Sequence, residues 1–547
     1  MTIKYTKEQL NKFDKDLLIE LFLGMQGQME ELSRQTQALN DRMQLMMEQM
    51  VLFQKNRFGR TSEKMADSEQ IRFMEVDGTI VFFNEAEAVC DLDAPEPEDL
   101  ELKAPKKKKQ PGKKAADIAG LTVKRIDHYL KEEELTAEFG ENGWKQLPDA
   151  ISRCYQFIPA SVVIEEHHIG VYSSKLDEHM IKAPHPRNLL HGSLVSPSLA
   201  AAVINGKYVN AVPLYRLEKE FERYGLAITR QNMANWMIRL GEEYLGTMYD
   251  YLHKLLYDYH VIQADETPVL VNKDGRPAGS QSYMWVYRSG FMYRDRQIIL
   301  YEYQKTRNAS HPREFLRDYT GICVTDGYQV YHTLEKERED LKIAGCWVHC
   351  RRRFNDALEV IPKAHRKESI LHLIMKQIQA IYREEGKLSD FSTEDRLMQR
   401  QLVVKPLVDA FFAYLKQNEP KIPKNGKIRE AFTYALNQES YLKVFLEDGD
   451  VPIDNNASER AIRGFCIGKK NWEMIDTVNG ANSSVIIYSI AETAKANNLK
   501  PFDYFEYLLT EIPKRVDDKN TDFLAELLPW SDMLPENIRK PQKASGK

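Results

Sequence analysis

The feature that most constrains the fold is a run of strand-like and helix-like segments between residues 259 and 349. Three apolar, β-branched segments come first, and short polar turns separate them: HVIQADETPVLV, SYMWVYRSG and RQIILYEY. A helical stretch, the strand-like GICVTD, a second helix and the strand-like IAGCWVH follow. The order predicts an antiparallel meander of three strands, extended by two strands that helices connect.

The order βββαβαβ is that of the ribonuclease H-like fold, which sets the first and fourth strands side by side. Asp265 falls in the first strand and Asp326 at the end of the fourth. Paired carboxylates supply the hard oxygen ligands that Mg²⁺ or Mn²⁺ prefers, and two such ions can clamp a phosphoryl transfer. Glu459 is the candidate third carboxylate, in a helix that Asp454 or the neighbouring asparagines could cap.

Charge limits what kind of nucleic-acid contact the chain can make. Its 547 residues carry 76 basic and 81 acidic side chains, a net charge of −5. This balance excludes a uniformly basic nucleic-acid binder, so DNA contacts must come from local clusters. The candidates in the second half of the chain are Arg351, Arg352, Arg460, Arg463, Lys469, Lys470 and Trp472. Trp472 could stack on a base or pack in a core, and His349 could assist proton transfer or be structural.

Residues 191–256 predict a helical region with the outline of a helix-turn-helix. Leu214 to Tyr224 is amphipathic, Gly225 interrupts it, and Thr229 is a candidate N-cap for the next helix. That helix carries polar side chains suited to base edges, namely Arg230, Gln231, Asn235 and Arg239. Two helices joined by a turn also occur in many proteins that never touch DNA, so both interpretations remain open at this point.

The first 118 residues predict a coiled-coil helix followed by a charged linker. In residues 1–56, side chains that are apolar except for Thr36 recur at alternating steps of four and three from Leu18 to Phe53, which predicts a coiled coil and favours a homodimer. Residues 57–118 contain an acidic stretch followed by a strongly basic one, the composition of a charged linker.

Several motifs together resemble the DDE-type transposases of the insertion sequence 66 family. They are QADETPVLV, TDGYQVY, GCWVHCRRRF, DNNASERAIR, GKKNW and LLPW, in this order along the chain. The resemblance implies that Asp265, Asp326 and Glu459 bind divalent metal. It also implies that the protein cuts transposon ends, joins them to target DNA, and works with accessory transposition proteins.

The resemblance also frames the remaining segments. Residues 119–190 predict a small β-rich module where relatives carry a zinc-binding domain, but Cys154 is its one cysteine, so zinc is not expected. Residues 257–350 and 450–500 predict the catalytic core, 351–449 a helical insertion and 501–547 a C-terminal tail.

These observations predict a mixed α/β, multidomain DNA transposase. The alternatives are a ribonuclease H-like nuclease that cuts without joining, and an inactive DNA-binding derivative of a transposase. The partners expected are the terminal inverted repeats and target DNA, with no membrane, since no apolar stretch is long enough to span one. The expected location is the bacterial cytoplasm, at the nucleoid when DNA is bound.

Overall fold

The computed structural model describes residues 73–76, 79–82, 129–140, 160–173, 180–184, 187–277, 279–518 and 520–541. The described residues from 160 to 540 belong to one compact unit, and the others belong to a second. The predicted coiled coil over residues 1–56 lies outside the described residues. No helix in the described ranges is long and apolar enough to cross a bilayer.

In its described residues, the smaller unit contains a pair of antiparallel strands and one helix. Strand β1 (Phe73–Val76) pairs with β2 (Thr79–Phe82), and α1 spans Glu132–Phe139. The two strands fall inside the segment predicted as a charged linker, so residues 73–76 and 79–82 of that segment are extended and paired. The signal was present: Asp-Gly between two apolar runs is a strong two-residue hairpin turn.

The predicted β-rich module differs from expectation in its described part. Only β3 (Val171–Ser173) and β4 (Met180–Lys182) are strands there, and they pair with each other. The apolar segment before β3 has no regular structure, and Val163 and Ile164 are largely exposed. β-branched residues fit a pleated sheet only where a partner strand exists, and none pairs with 160–170 in the described ranges.

Between residues 187 and 260, which the structure describes in full, four further helices precede the main sheet. They are α2 (Pro197–Ile204), α3 (Leu214–Arg223), α4 (Arg230–Leu240) and α5 (Gly246–Leu256). Gly225 takes a φ of +80° after α3, which glycine adopts without strain. The Thr229 hydroxyl accepts the Asn232 N–H at 3.2 Å and caps α4. The predicted helix, glycine turn and capped helix are therefore confirmed as structure.

The main sheet has the strand order β7-β6-β5-β8-β9. These strands are β5 (Val261–Lys273), β6 (Gln281–Ser289), β7 (Ile299–Gln304), β8 (Gly321–Thr325) and β9 (Leu341–Gly345). The first three form the predicted antiparallel meander, and β8 and β9 continue it in parallel pairing. Helices α6 (Ser310–Phe315) and α7 (Gln329–Glu337) make the two connections.

The segment after β9 is helical where the sequence analysis expected a strand through His349. Helix α8 (Trp347–Val360) begins two residues after β9 ends, so His349, Arg351 and Arg352 lie on a helix. Its buried residues are Trp347, Cys350, Phe354 and Ala357. Their spacing follows the period of a helix, and this periodicity overrides the β-branched and aromatic character of the preceding residues.

The rest of the unit is mainly helical. The predicted insertion contains α9 (Ile370–Gly386), α10 (Thr393–Gln399), α11 (Lys405–Asn418), α12 (Lys427–Asn437) and α13 (Glu439–Lys443). The chain then returns through α14 (Asn456–Trp472), a short strand β10 (Ile475–Thr477), α15 (Val478–Ala496) and α16 (Pro501–Glu511).

Two hydrophobic cores hold these elements together. The apolar residues of 189–256, most of the sheet, α14, α15 and the tail share one core. Helices α8, α9, α11 and α12 form the second core, together with Val261, Ile322 and Val324. The helical region and the tail, which were predicted as separate domains, therefore pack on the sheet as parts of one core.

Candidate active site

The three candidate carboxylates approach one another from the centre of the sheet and from α14. Gln263 of β5 and Val324 of β8 are paired residues, and each lies two positions before an aspartate, Asp265 and Asp326. Parallel pairing at this position brings both aspartates to neighbouring places at the sheet centre. Glu459 lies in the first turn of α14, which packs on β5.

A buried amide pair fixes the start of α14 on β5. The Gln263 Nε2 donates to the Asn455 Oδ1 at 3.1 Å and to the Asp454 carbonyl at 3.3 Å. The Asn455 Nδ2 in turn donates to the Ala264 carbonyl at 2.8 Å. The Asp454 Oδ1 accepts the Asn456 N–H at 3.1 Å, one residue before the N-cap Asn455, whose side chain makes no capping hydrogen bond. These hydrogen bonds fix the start of α14, and with it Glu459, against β5, the strand that carries Asp265.

Electrostatics show that Asp265 shares its surroundings with the other carboxylates. Burial raises the pKa of Asp265 well above its usual value, and the charges of Glu266, Asp326 and Glu459 add to this effect. The Glu266 N–H, which Asp265 accepts at 2.9 Å, opposes the rise. A concentration of buried negative charge of this kind favours a bound cation.

Glu459 differs because basic groups surround it. Its Oε1 lies 3.2 Å from the His349 Nε2, and its Oε2 lies 3.7 Å from an Arg352 guanidinium nitrogen. Burial raises the pKa of Glu459. The His349 hydrogen bond and the charges of His349, Arg352 and Arg463 lower it by a larger amount, so the net shift is downward. Glu459 is therefore ionised at neutral pH.

One set of side chains in the described residues brings three metal-ligating atoms within 4.8 Å of one another: Cys346, His349 and Glu459. The Asp265 and Asp326 oxygens are not part of this set. The buried Cys346 Sγ accepts the Asn455 N–H at 3.2 Å, and burial raises the pKa of its thiol. A protonated thiol engaged in this way is a poor metal ligand.

The turn after β8 is held by the helical insertion. The Asp326 Oδ1 accepts the Tyr328 N–H at 2.8 Å, and the Tyr434 hydroxyl of α12 donates to the Asp326 carbonyl at 2.9 Å. Gly327 has a φ of +91°, and a Cβ there would lie 2.9 Å from the Tyr434 hydroxyl. The insertion thus packs directly against the turn that carries Asp326.

Glu266 is a buried carboxylate that the sequence analysis did not single out. Arg307 donates to its Oε1, through Nε at 2.7 Å, and the Tyr331 hydroxyl donates to Oε2 at 3.2 Å. Burial and the Asp326 charge raise the pKa of Glu266 to about 7 although Arg307 lowers it. No signal in the sequence joins Glu266 to Arg307, because the partners are far apart along the chain.

Comparison with known proteins now gives the family. The profile described as "Transposase IS66 family" matches residues 192–483, more than half of the chain, and one described as "IS66 C-terminal element" matches residues 489–530. The chain belongs to the IS66 transposase family. A third profile, described as "Transposase C of IS166 homeodomain", matches residues 45–126.

Three relatives of the IS66 chain come from Sinorhizobium fredii (strain NBRC 101917 / NGR234). The uncharacterized protein y4qI is 28% identical over 66% of this chain and 67% of its own length. The uncharacterized protein y4jD is 24% identical over 76% and 82%, and the uncharacterized protein y4hP is 22% identical over 72% of both chains.

The predicted DNA contacts of this IS66 chain lie in different surroundings. Arg230, Gln231 and Asn235 are exposed on α4, whereas Arg239 pairs with Glu243 at 2.8 Å. Arg460, Arg463 and Lys470 are exposed on α14. Lys469 donates to the Pro268 carbonyl at 2.6 Å. Arg351 lies 5.8 Å from the Tyr382 ring. The Trp472 ring is half-buried and packs edge-on against Phe465. This contact favours packing in the core over stacking on a base.

Proposed function

We propose that this IS66-family protein is a DDE-type transposase that cuts insertion-sequence ends and joins them to target DNA. The observation that carries the proposal is the approach of Asp265, Asp326 and Glu459 at the centre of the sheet. Two of them come from adjacent strands and one from a helix fixed to the same strand. In this proposal the three carboxylates are the catalytic residues.

The topology supports a ribonuclease H-like core for this chemistry. Its features are an antiparallel meander, two parallel strands added beside the first strand, and a helix that crosses the sheet after a long insertion. Asp265 lies on β5, Asp326 directly follows β8, which pairs with β5, and Glu459 lies on α14. A site on regular elements holds reacting groups more accurately than one on loops.

The donor chemistry fits Mg²⁺ or Mn²⁺. Asp265, Asp326 and Glu459 would hold the ions, because carboxylate oxygens suit these cations better than they suit soft metals. The downward pKa shift of Glu459 keeps one ligand ionised, and the raised pKa of Asp265 marks negative charge that a cation would compensate. When bound, two ions would stabilise the attacking and leaving oxygens of phosphoryl transfer. Zinc is not proposed for Cys346 and His349.

The chain's own groups supply positioning in this proposal. His349 and Arg352 hold the two oxygens of Glu459. The exposed Arg460, Arg463 and Lys470 follow one face of α14 and would contact DNA phosphates beside the carboxylates. The exposed polar side chains of α4 would contact DNA elsewhere on the same unit.

Oligomerisation belongs to the proposal as well. The heptad pattern over residues 1–56 supports a homodimer, and accessory proteins are an expectation from family membership. Deleting residues 1–56 should convert the oligomer to a monomer in sedimentation, and an unchanged mass would contradict the coiled coil.

A joining assay tests the central proposal. Labelled duplexes carrying the inverted repeats that flank the gene are incubated with the protein, Mg²⁺ and a supercoiled plasmid. A transposase yields labelled ends covalently joined to the plasmid. Cleavage without any joined product would instead support the ribonuclease H-like nuclease, and end binding without cleavage would support an inactive derivative.

A further inference from the structure

An exposed aromatic ring stands beside the start of α14. Phe291 lies in the turn after β6 and is 52% exposed. Its ring faces the Arg460 guanidinium, whose Cζ lies 5.6 Å from the ring centroid. A lone exposed phenylalanine is ordinary on a protein surface, so the surroundings of this one decide whether it has a role.

Buried hydrogen bonds fix the backbone that carries the ring. The Phe291 N–H donates to the Gln263 Oε1 at 3.0 Å, and Gln263 is fully buried. The same amide group donates to Asn455 and thus binds the start of α14. Gln263 precedes Asp265 by two residues, so both side chains lie on one face of β5. One buried side chain therefore ties Phe291 to both carboxylate-bearing elements.

Arg460 adds a cation that is available to a ligand. It follows Glu459 directly and is exposed, and its charge acts on Asp454, opposing the rise that burial causes in the pKa of that carboxyl. The neighbouring Arg288 is buried and donates hydrogen bonds to Ser289, Ala457 and Gln297. Arg460 thus remains the guanidinium that can contact a phosphate next to the Phe291 ring.

We propose that Phe291 and Arg460 form a base-stacking subsite for an unpaired nucleotide adjacent to the cleaved phosphate. The proposal rests on the proposed function, because it assigns DNA as the substrate of the neighbouring carboxylates. The ring supplies a flat apolar face that accepts any base, and the guanidinium holds the phosphate of the same nucleotide. The subsite would favour DNA whose end is opened or single-stranded at the site of reaction.

Binding measurements with the full-length protein test the subsite. The probes are a blunt labelled duplex and the same duplex with a short oligothymidine extension, on either the 3′ or the 5′ strand. Ca²⁺ replaces Mg²⁺ so that binding is read without cleavage. We expect the wild-type protein to bind one extended duplex more tightly than the blunt one. Phe291→Ala should lower that preference about fivefold or more, and Phe291→Trp should keep it.

An abasic site at the first extension nucleotide makes the test specific for stacking. The wild-type protein should lose the same factor with the abasic probe, whereas Phe291→Ala should lose nothing further. Phe291→Leu, which is apolar but not aromatic, should behave like Phe291→Ala. Thermal melting checks that each variant is folded.

Three results would overturn the subsite: no preference for either extended probe, an unchanged preference in Phe291→Ala, or an equal loss with blunt and extended duplexes. An equal loss would point to a general surface or protein contact at Phe291. The joining assay reads chemistry and this assay reads binding, so either proposal can fail while the other stands.

Discussion

Asp265 and Glu266 follow one another on β5 but lie in two different environments. The first environment contains Asp265, Asp326 and Glu459; burial raises the pKa of Asp265 most, and the charges of Glu266, Asp326 and Glu459 add to the rise. The second contains Glu266, which Arg307 and Tyr331 bind directly. Side chains of successive strand residues point to opposite faces, so one strand supplies both environments.

The difference separates a reactive arrangement from a structural one. Glu266 has a cation and a hydroxyl as partners. Its pKa stays raised because burial and the Asp326 charge outweigh their effect. Asp265 has burial and acidic neighbours as its main influences, and the opposing contribution is a backbone N–H. Negative charge left uncompensated at the sheet centre is typical of a functional site.

The largest expected effect comes from neutralising Asp265. Asp265→Asn should reduce DNA cleavage by about a hundred- to ten-thousandfold, because metal stabilisation of the transferred phosphoryl group is worth several kcal/mol. The thermal stability of the Asp265→Asn protein should rise, because the substitution removes a buried charge. Glu266→Gln should retain cleavage within about tenfold. Comparable losses in both variants would remove the distinction between the two environments.

Glu302 offers a reference in which burial is the main cause of a raised pKa. Burial raises its pKa from 4.5 to about 7, and Gln304 and Tyr287 hydrogen bonds oppose the rise. Stability from this group is present below pH 4.5 and is lost as the pH rises through 7. Glu302→Gln mimics the protonated form. Its free energy of unfolding should therefore equal that of wild type at pH 4 and exceed it at pH 8 by roughly 3 kcal/mol.

Chemical denaturation across this pH range measures the difference between the two proteins. A constant difference between pH 4 and pH 8 would show that the pKa of Glu302 is the same in the folded and unfolded states. The same experiment on Asp265→Asn then shows whether acidic neighbours add to what burial alone produces.

A smaller effect is expected from Glu266→Gln on stability. Glu266 has a 1% exposed side chain and pairs with Arg307. Burial and the Asp326 charge outweigh that pair and raise the pKa of Glu266 to about 7, so Glu266→Gln should be as stable as wild type at pH 4. At pH 8 its free energy of unfolding should exceed that of wild type, but by less than in Glu302→Gln, because the substitution leaves Arg307 without a counter-charge. The matched control is Glu337→Gln, which breaks an exposed bidentate pair with Arg313 and should show no gain in stability at pH 8. Equal changes in the two variants would mean that burial does not set the ionisation of Glu266.

Local patterns in the sequence carried much of the fold. The strands β5 to β8, the capped helix α4 and the positions of Asp265 and Asp326 followed from short apolar runs and turn residues. The start of α8 did not, because its first residues are as compatible with a strand as with a helix. The pairing of β1 with β2 was missed because residues 57–118 were interpreted from their charge alone.

Long-range partners were beyond the sequence. The Gln263–Asn455 amide pair and the Glu266–Arg307 pair join residues from distant segments, and each depends on how elements pack. For the same reason the sequence did not show that the helical region and the tail share the core of the sheet. The carboxylates were visible as residue types, but their unequal environments were not.

The central claim is that Asp265, Asp326 and Glu459 hold divalent metal and that Glu266 does not. Titration with Mn²⁺, followed by the loss of free-ion signal in electron paramagnetic resonance, measures this without DNA. Wild type and Glu266→Gln should bind Mn²⁺ alike, and Asp265→Asn, Asp326→Asn and Glu459→Gln should each weaken binding at least about tenfold. Wild-type binding in the Asp265→Asn protein would contradict the account.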